Sequence, residues 1–273
     1  MEVEQIEVAL VKYQQIKTFV FQLKKSQMSI GQINRTLSAI NHYYAYLDIG
    51  MSPTKGMKVR GQDRNLKHYF VSKADLEVLH YKYKGVDNRT KRNKAILGLM
   101  IYQGLTTREL HRLEPSEVDL ERTAIYIKGT HNSNNRRLTL QARQIAALTE
   151  YIKVVRAEML AAIKSGSVKQ KSGRKPKQVD YRKLEQQMFF SENGSVNLKT
   201  SLHHMFKVVQ KLNPKVSSGK VIRSSVIVQW LKDYNLREVQ YMAGHRFVSS
   251  TEKYQAFNFD QIEESLELYH PLR

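Results

Sequence analysis

The 273-residue sequence contains no cysteine, which excludes disulfide bridges and cysteine-ligated zinc or iron–sulfur sites. This absence is typical of intracellular proteins, and we expect a cytoplasmic one. Long apolar runs are also missing, since none approaches the roughly 20 residues of a membrane span. The acidic start Met1-Glu2-Val3-Glu4 is unlike a signal peptide. The sequence therefore predicts a protein that neither crosses a membrane nor enters the secretory route.

Acidic residues are few compared with basic ones. The chain has 25 Asp and Glu against 45 Lys and Arg, a formal net charge of +20. Such an excess destabilises a compact fold through self-repulsion unless a polyanion is the partner. Nucleic acid is therefore the expected partner, and an anionic membrane surface is the alternative.

Residues 1–50 have the periodicity of helices. Ser29 and Gln32 have capping-box spacing and predict the start of a second helix. Apolar side chains recur at three- and four-residue steps in two series: Leu10, Tyr13, Ile16, Val20 and Leu23, then Ile33, Leu37, Ile40, Tyr44 and Leu47. We expect a small all-helical domain here.

Residues 51–70 combine turn-forming residues with closely spaced cations. Pro53 and Gly56 interrupt any regular structure. The cations are Lys55, Lys58, Arg60, Arg64 and Lys67. Two compatible interpretations remain open: a solvated linker, and a strap that lies along a DNA backbone between two domains.

The remaining residues, 71–273, predict a mixed domain. Residues 124–128 and 136–140 have the composition of two strands, and the polar turn 129–135 joins them. Residues 165–183, rich in Lys, Arg, Ser and Gly, predict disorder. Helices are predicted from Ser72, from 94 to 102, and at 141–164, 198–212, 221–234 and 236–243. The expected fold is mainly α with a small antiparallel sheet.

Potential chemistry is concentrated near the end of the sequence. Lys220 and Arg223 are followed by Gly244-His245 and, nine positions after the histidine, by Tyr254. A phenol can attack a phosphodiester when nearby cations favour its ionised form. A guanidinium fork suits two phosphate oxygens at once and remains charged. This set of groups needs neither a metal nor a cofactor, and we expect none.

In this order the motifs resemble those of the tyrosine recombinase (phage integrase) family, from the helix that begins after Ser29 to the tail. The resemblance implies a helical core-binding domain at 1–50, with Arg35 on its DNA-binding helix, a basic linker at 51–70 and an α+β catalytic domain at 71–273. It also implies double-stranded DNA as the partner. The implied activity is that of a site-specific recombinase or integrase, which breaks and rejoins DNA through a 3′-phosphotyrosyl intermediate.

The resemblance assigns roles residue by residue. Tyr254 matches the nucleophile and Arg223 the second arginine of the family. His245 matches the histidine that hydrogen-bonds a non-bridging phosphate oxygen. Lys128, just before the turn between the strands, matches the lysine that protonates the departing 5′-oxygen. Lys220 falls where the family most often has histidine, so a histidine-like proton acceptor is missing there.

One catalytic position departs from the family. This chain has Gly104-Leu105-Thr106 where the family has Gly-Leu-Arg, although Glu109-Leu110 still match. As a helix cap, Thr106 could leave backbone N–H groups for a phosphate oxygen, and Arg108 should point away from the side of Thr106. The candidates to replace the missing arginine are Thr106, Arg108, His131, Arg136 and Arg137. The sequence does not choose among them.

The missing arginine leaves an alternative function open: a catalytically impaired DNA-binding relative that acts as a regulator. Assembly is a further expectation. The segment 257–269 has the pattern of a short amphipathic helix, which in the family docks on a neighbouring subunit. The resemblance therefore implies a homo-oligomer on DNA, from dimer to tetramer, with packing of this helix on its own domain as the alternative.

Overall fold

A computed structural model describes residues 10–61, 70–166 and 179–255. The chain divides after Lys67 into two compact units. The helices are α1 (Tyr13–Lys25), α2 (Ile30–Tyr46), α3 (Lys73–Lys82), α4 (Asn88–Gln103), α5 (Thr107–Arg112), α6 (Ala142–Glu150), α7 (Arg156–Lys164), α8 (Tyr181–Gln186), α9 (Lys199–Leu212), α10 (Gly219–Asp233) and α11 (Leu236–Ala243), and the strands are β1 (Val118–Asp119), β2 (Ala124–Ile127) and β3 (Arg136–Thr139). In the described part of the chain, no helix has both the length and the apolar character needed to span a membrane.

The first unit is built on the pairing of α1 with α2. Its buried core comes from both helices: Ile16, Val20, Ile33 and Leu37. Ser29 caps α2, and its capping box with Gln32 is formed, which confirms the predicted helix start. Leu10 and Tyr13, the first two residues of the periodic apolar series, are nevertheless exposed. A short two-helix pair offers too little surface to cover the whole apolar series.

The beginning of the 51–70 segment packs on this helical pair. The Thr54 hydroxyl donates to the Leu37 carbonyl at 3.2 Å, and the Asn34 side chain makes two hydrogen bonds, of 2.9 and 3.0 Å, with the backbone of Val59. The cations of this stretch are exposed: Lys55, Lys58 and Arg60. Arg64 and Lys67 lie outside the described residues. Residues 52–59 are thus part of the first unit, with their positive charges in solvent.

Helix α4 is at the centre of the second unit. Every residue from Ala95 to Ile101 is buried, because α3, α6 and α10 pack around the helix. Asp87 caps its start, and Gly104 ends it in the left-handed conformation (φ +60°), which glycine adopts without a Cβ clash. With one three-stranded antiparallel sheet of order β1-β2-β3, the predicted fold class is confirmed.

The sheet shows one exception to the usual distribution of polar side chains. Strand β2 pairs with β3 so that Ile127 lies opposite Arg136. Side chains alternate between the two faces of a strand, and Leu138 and Leu140 are buried while Arg137 is exposed. Arg136 is on the buried face with the leucines, at 1% exposure. Both predicted strands are confirmed to within one residue; β1, only two residues long, was too short to predict.

The structure differs from two of the sequence predictions in the region after the sheet. The predicted helix 141–164 is present, but its middle, Tyr151–Val155, is a π-helical turn. The disorder predicted for 165–183 is wrong at its end, because α8 begins there. Asp180 accepts a hydrogen bond from the Lys183 N–H, and Leu184 is fully buried, so a cap and one apolar anchor fix this short helix. Residues 167–178 and the predicted tail helix, 257–269, lie outside the described residues.

Candidate active site

A cavity of about 280 Å³ in the second unit collects several of the predicted residues. Its wall comes from four places: the start of α5, the turn between β2 and β3, helix α10, and the segment after α11. Thr106, Arg223 and His245 all line it. Positions more than one hundred residues apart in the sequence therefore meet at one site.

Arg223 is held by the ends of two helices. Its Nη1 donates to the Gly104 carbonyl at 2.5 Å, and its Nη2 donates to the Ala243 carbonyl at 2.6 Å. Both carbonyls belong to helix C-termini, where the helix dipole favours a cation. Burial lowers the pKa of Arg223, and the charge of Glu109 opposes that shift. The guanidinium remains charged at neutral pH, so a fixed cation faces the cavity.

Thr106 caps α5 through a complete capping box. The backbone N–H and the hydroxyl of Thr106 both donate to Glu109 Oε2 at 2.8 Å, and the Glu109 N–H donates back to Thr106 Oγ1 at 3.2 Å. The predicted capping role of Thr106 is confirmed. The carboxylate of Glu109 occupies the space beside this cap, and a negative charge there opposes a phosphate at the helix end.

Arg108 lines the same cavity as Thr106 and is exposed. The expectation that it points away was wrong. Thr106 has extended backbone angles (φ −79°, ψ 158°), so the rotation per residue of a helix does not relate the two side chains.

Arg136 lies directly behind the wall of the cavity. Its Nη1 donates to Glu109 Oε1 at 2.5 Å, and the side chain is entirely buried. A Cβ atom on Gly244 would come within 2.5 Å of the same Nη1, so only glycine allows this approach. Burial raises the pKa of Glu109, but the hydrogen bond and charge of Arg136 outweigh it, and the pKa is lowered. Glu109 is thus an ionised carboxylate balanced by a buried guanidinium.

His245 and Tyr254 lie side by side. Their ring centroids are 6.2 Å apart and the rings are inclined by 14°. His245 Nδ1 is 2.9 Å from the hydroxyl of the buried Thr251. Burial, followed by the charges of Arg223 and Arg136, lowers the pKa of His245 to about 4. The imidazole is therefore neutral at pH 7 and can donate only one ring proton.

Tyr254 is partly buried and packs on the apolar cluster of Ile227, Val239 and Ala243. The structure brings it next to His245 but does not place it in the lining of the cavity. This contact with an apolar cluster holds the ring in place beside His245.

The turn between β2 and β3 is fastened to the segment after α11. The Asn134 N–H donates to the Gly244 carbonyl at 3.0 Å, and Arg246 Nη1 donates to the His131 carbonyl at 2.9 Å. The His131 ring is exposed and bonds to its neighbour Asn132 at 2.9 Å. The turn therefore forms one wall of the cavity through its backbone and small polar side chains.

Both predicted lysines, like Tyr254, lie outside the cavity lining of the described chain. Lys128 Nζ is 3.0 Å from Glu114 Oε1 and 3.3 Å from Glu117 Oε1, and about half of its side chain is exposed. The hydrogen bond with Glu114 is the main cause of the raised pKa of Lys128. Lys220 is exposed in the first turn of α10. The structure therefore assembles the arginine, histidine and tyrosine but leaves both lysines outside.

The arrangement suits an anion more than a metal. Arg108 and Arg223 are at the wall, and Arg136 balances Glu109 from behind, so the local charge is positive. Guanidinium groups bind phosphate oxygens through short, charge-assisted hydrogen bonds. Within the described ranges, no group of three or more His, Asp or Glu residues could hold a metal ion.

A sequence model of the Phage integrase family matches residues 76–261. Among curated proteins, the chain is similar to tyrosine recombinase XerC of Roseiflexus castenholzii, with 23% identity over 256 residues that cover 92% of this chain and 76% of the relative. It is also similar to tyrosine recombinase XerC of Natranaerobius thermophilus, with 26% identity over 275 residues, 96% of this chain and 83% of the relative.

Solved structures show the same fold. The XerH site-specific recombinase bound to palindromic difH substrate, a post-cleavage complex, has a TM-score of 0.65 at 16% identity, with 95% of this chain and 73% of that chain covered. The Tn1549 transposon integrase in complex with transposon right end DNA has a TM-score of 0.60 at 17% identity, with 91% and 82% covered.

Proposed function

The chain belongs to the phage integrase family of tyrosine recombinases, whose general activity is site-specific DNA recombination, and we propose that it breaks and rejoins DNA through a phosphotyrosyl bond to Tyr254. The observation that carries this proposal is the position of Arg223. Two helix C-termini fix its guanidinium in a cavity that His245 also lines, and the ring of His245 stacks beside Tyr254. A nucleophile, a fixed cation and a neutral hydrogen-bond donor are thus within one site.

In the proposed reaction, the oxygen of Tyr254 attacks the phosphorus of one DNA strand. A 3′-phosphotyrosyl bond forms, the bond from phosphorus to the 5′-oxygen breaks, and the phenol proton passes to water. Lys128 supplies a proton to the departing 5′-oxygen, which leaves as a hydroxyl. The hydroxyl of a partner strand then reverses the step, so the phosphoester bond is conserved in the protein and no nucleotide hydrolysis is required.

Arg223 and His245 act on the non-bridging oxygens of that phosphate. The transition state gains negative charge on these oxygens, and preorganised donors stabilise it more than the ground state. The proposed role requires the tautomer in which the Thr251 hydroxyl donates to Nδ1, since the single ring proton of His245 is then on Nε2 and can be donated to a phosphate oxygen. The low pKa of His245 keeps it a donor of this kind at neutral pH, not a second cation.

Lys128 must leave its two carboxylates to act. In this structure it is paired outside the cavity with the partly exposed Glu114 and the buried Glu117, and an ammonium group that is half exposed to water gains little from such pairs. A nearby DNA backbone can compete for the ammonium group. In the proposed mechanism, Lys128, which directly precedes the turn between β2 and β3, leaves its carboxylate partners and moves into the site when DNA binds.

Double-stranded DNA is the proposed partner. The XerH and Tn1549 integrase structures that share this fold are complexes with DNA, and the net charge of +20 suits a polyanion. In the first unit, the exposed cations of α2 and the following segment are candidates for backbone contacts: Arg35, Lys55, Lys58 and Arg60.

A regulator that binds DNA without cleaving it is the second candidate. The observation that favours it is Thr106 in the place of the arginine of the first catalytic box. Removal of one transition-state donor typically lowers a rate by about 10²–10³-fold, which weakens catalysis without abolishing it. The enzyme therefore remains the better conclusion.

A covalent-adduct assay separates the two candidates. Duplexes that bind the full chain are selected from a randomised pool and nicked at successive positions, so that cleavage releases a short fragment and traps the adduct. We expect the wild type to form a denaturant-resistant protein–DNA adduct and Tyr254→Phe to form none. Tyr234→Phe, the same change at an exposed tyrosine at the end of α10, is the control and should form the adduct. Tight binding without any wild-type adduct would establish the regulator instead.

A further inference from the structure

An arginine on the buried face of a sheet needs an explanation. Arg136 alternates with Leu138 and Leu140 on that face, and its exposure is 1%. Among the described residues, its Nε and Nη2 have no hydrogen-bond partner. Burial of a charge with unsatisfied donors is unfavourable, and an apolar residue at this position would stabilise the fold more. A role in the site therefore explains the charge of Arg136 better than a contribution to the stability of the core does.

Its partner is the carboxylate of Glu109, which lies between two guanidinium groups. Glu109 Oε1 is 2.5 Å from Arg136 Nη1, and Glu109 Oε2 is 3.9 Å from Arg223 Nη1. Without Arg136, the ionised Glu109 would face Arg223 alone, and the pair would have no net charge. A phosphate would then compete with Glu109 for Arg223. With Arg136 present, the three groups together carry one positive charge.

The other candidates lack this connection. Arg108 is at the cavity wall but exposed, and its side chain makes no hydrogen bond or ion pair with any residue that the structure describes. Arg137 is on the opposite face of β3, where its backbone N–H donates to the Tyr241 hydroxyl. His131 is exposed at the tip of the turn. Of the cations considered, Arg136 alone is both rigidly buried and bonded to a residue of the first box.

We infer that Arg136 replaces the missing arginine at position 106 as a positioning residue: from behind the wall it neutralises Glu109 and so keeps Arg223 available to the scissile phosphate. This inference rests on the proposed function. Glu109 also completes the cap of α5 through Thr106, so one carboxylate couples the start of that helix, Arg136 and Arg223. The substitution at 106 moves the second positive charge from the helix start to the neighbouring strand.

The test uses single-turnover adduct formation by Arg136→Met, Glu109→Gln and the double variant Arg136→Met/Glu109→Gln. Glutamine keeps an oxygen for the Thr106 cap but has no charge. We expect Arg136→Met to be slower than the wild type by on the order of 10²-fold. The double variant should return to within about tenfold of the wild type, because Arg223 no longer faces an unbalanced carboxylate. Arg137→Met, at the next position of the same strand, is the matched control and should cleave at nearly the wild-type rate.

A purely structural role would give a different result. Thermal unfolding of each variant reports its stability, and the double variant removes both charges of a buried pair, a change that folds tolerate better than removal of one. A folded double variant that remains more than tenfold slower than the wild type would overturn the inference, as would an Arg136→Met variant as fast as the wild type. Failure of the proposed function has a separate signature, the absence of any adduct from the wild type.

Discussion

The contact between Gly244 and Arg136 gives a prediction whose size follows from the geometry. Gly244 ends α11 with φ +67°, and a Cβ atom there would meet Arg136 Nη1 at 2.5 Å and its Cζ at 3.1 Å. Arg136 cannot move aside easily, because it is buried and bonded to Glu109. Gly244→Ala therefore introduces two separate penalties, one in the backbone and one in packing.

The two penalties can be separated with a matched control. Gly166 also follows a helix in the left-handed conformation, at φ +69°, but among the described residues no heavy atom lies within 4 Å of a Cβ placed there. Gly166→Ala should lower the free energy of unfolding by about 1–2 kcal/mol, the cost of a left-handed alanine. Gly244→Ala should add about 1–3 kcal/mol for overpacking against Arg136. The expected total is about 2–5 kcal/mol.

Urea denaturation of the full chain measures the stability of both variants, and the adduct assay measures cleavage. Gly244→Ala should also slow adduct formation by at least tenfold, since displaced Arg136 no longer balances Glu109, whereas Gly166→Ala should not. If the two alanine variants lost the same stability and cleaved DNA equally well, the close packing of Gly244 on Arg136 would have no energetic consequence, and the argument would be refuted.

Three further outcomes are expected. Burial, aided by the charge of Lys94, lowers the pKa of His80 from 6.5 to about 4. Between these values the unfolded chain binds a proton that the folded chain does not, so stability should fall as pH is lowered from 6.5 to 4; His80→Gln should weaken this dependence in urea titrations, and an unchanged slope would contradict it. Lys128→Met should slow cleavage, and a 5′-thio leaving group, which needs no proton, should restore the rate; persistent slowness would exclude the acid role. Ser29→Ala should destabilise α2 by about 1 kcal/mol, seen as faster amide exchange in that helix of the full chain, and equal exchange would show that the cap contributes nothing.

Local signals in the sequence were sufficient for most helices. Capping boxes at Ser29 and Thr106 predicted two helix starts, and both are formed with the expected partners. Strand β1 and helix α8 were missed because they are short, and tertiary contacts such as the burial of Leu184 stabilise them. A periodic pattern needs more residues than these elements contain.

The site was harder to predict than the fold. The order of Arg223, His245 and Tyr254 predicted three site residues, which the structure brings near one another, but the sequence did not choose among the candidates to replace the arginine expected at position 106. A usable signal was present: position 136 alternates with Leu138 and Leu140, so strand periodicity places a charge on the apolar face. Arg108 could not be judged from helical rotation, because Thr106 is a cap and not a helical residue. The position of Lys128 depends on Glu114 and Glu117, which no motif connects with it.

If Arg136 supplies the positive charge that an arginine at position 106 would supply, a threonine at position 106 is compatible with the site. An arginine at the helix start would supply charge but no hydroxyl to bond with Glu109 Oε2, whereas Thr106 both caps α5 and fixes that carboxylate. Once Glu109 is fixed, Arg136 can bond to its other oxygen from the neighbouring strand, and Gly244 leaves room for this approach. The positive charge is then held in a rigid, dry position behind the wall, where electrostatic interactions are stronger than at an exposed surface. The cap at Thr106, Gly244 and the buried Arg136 therefore depend on one another. Substitution of any one of them should alter the position or the charge balance of Glu109, and through Glu109 the availability of Arg223 to a phosphate.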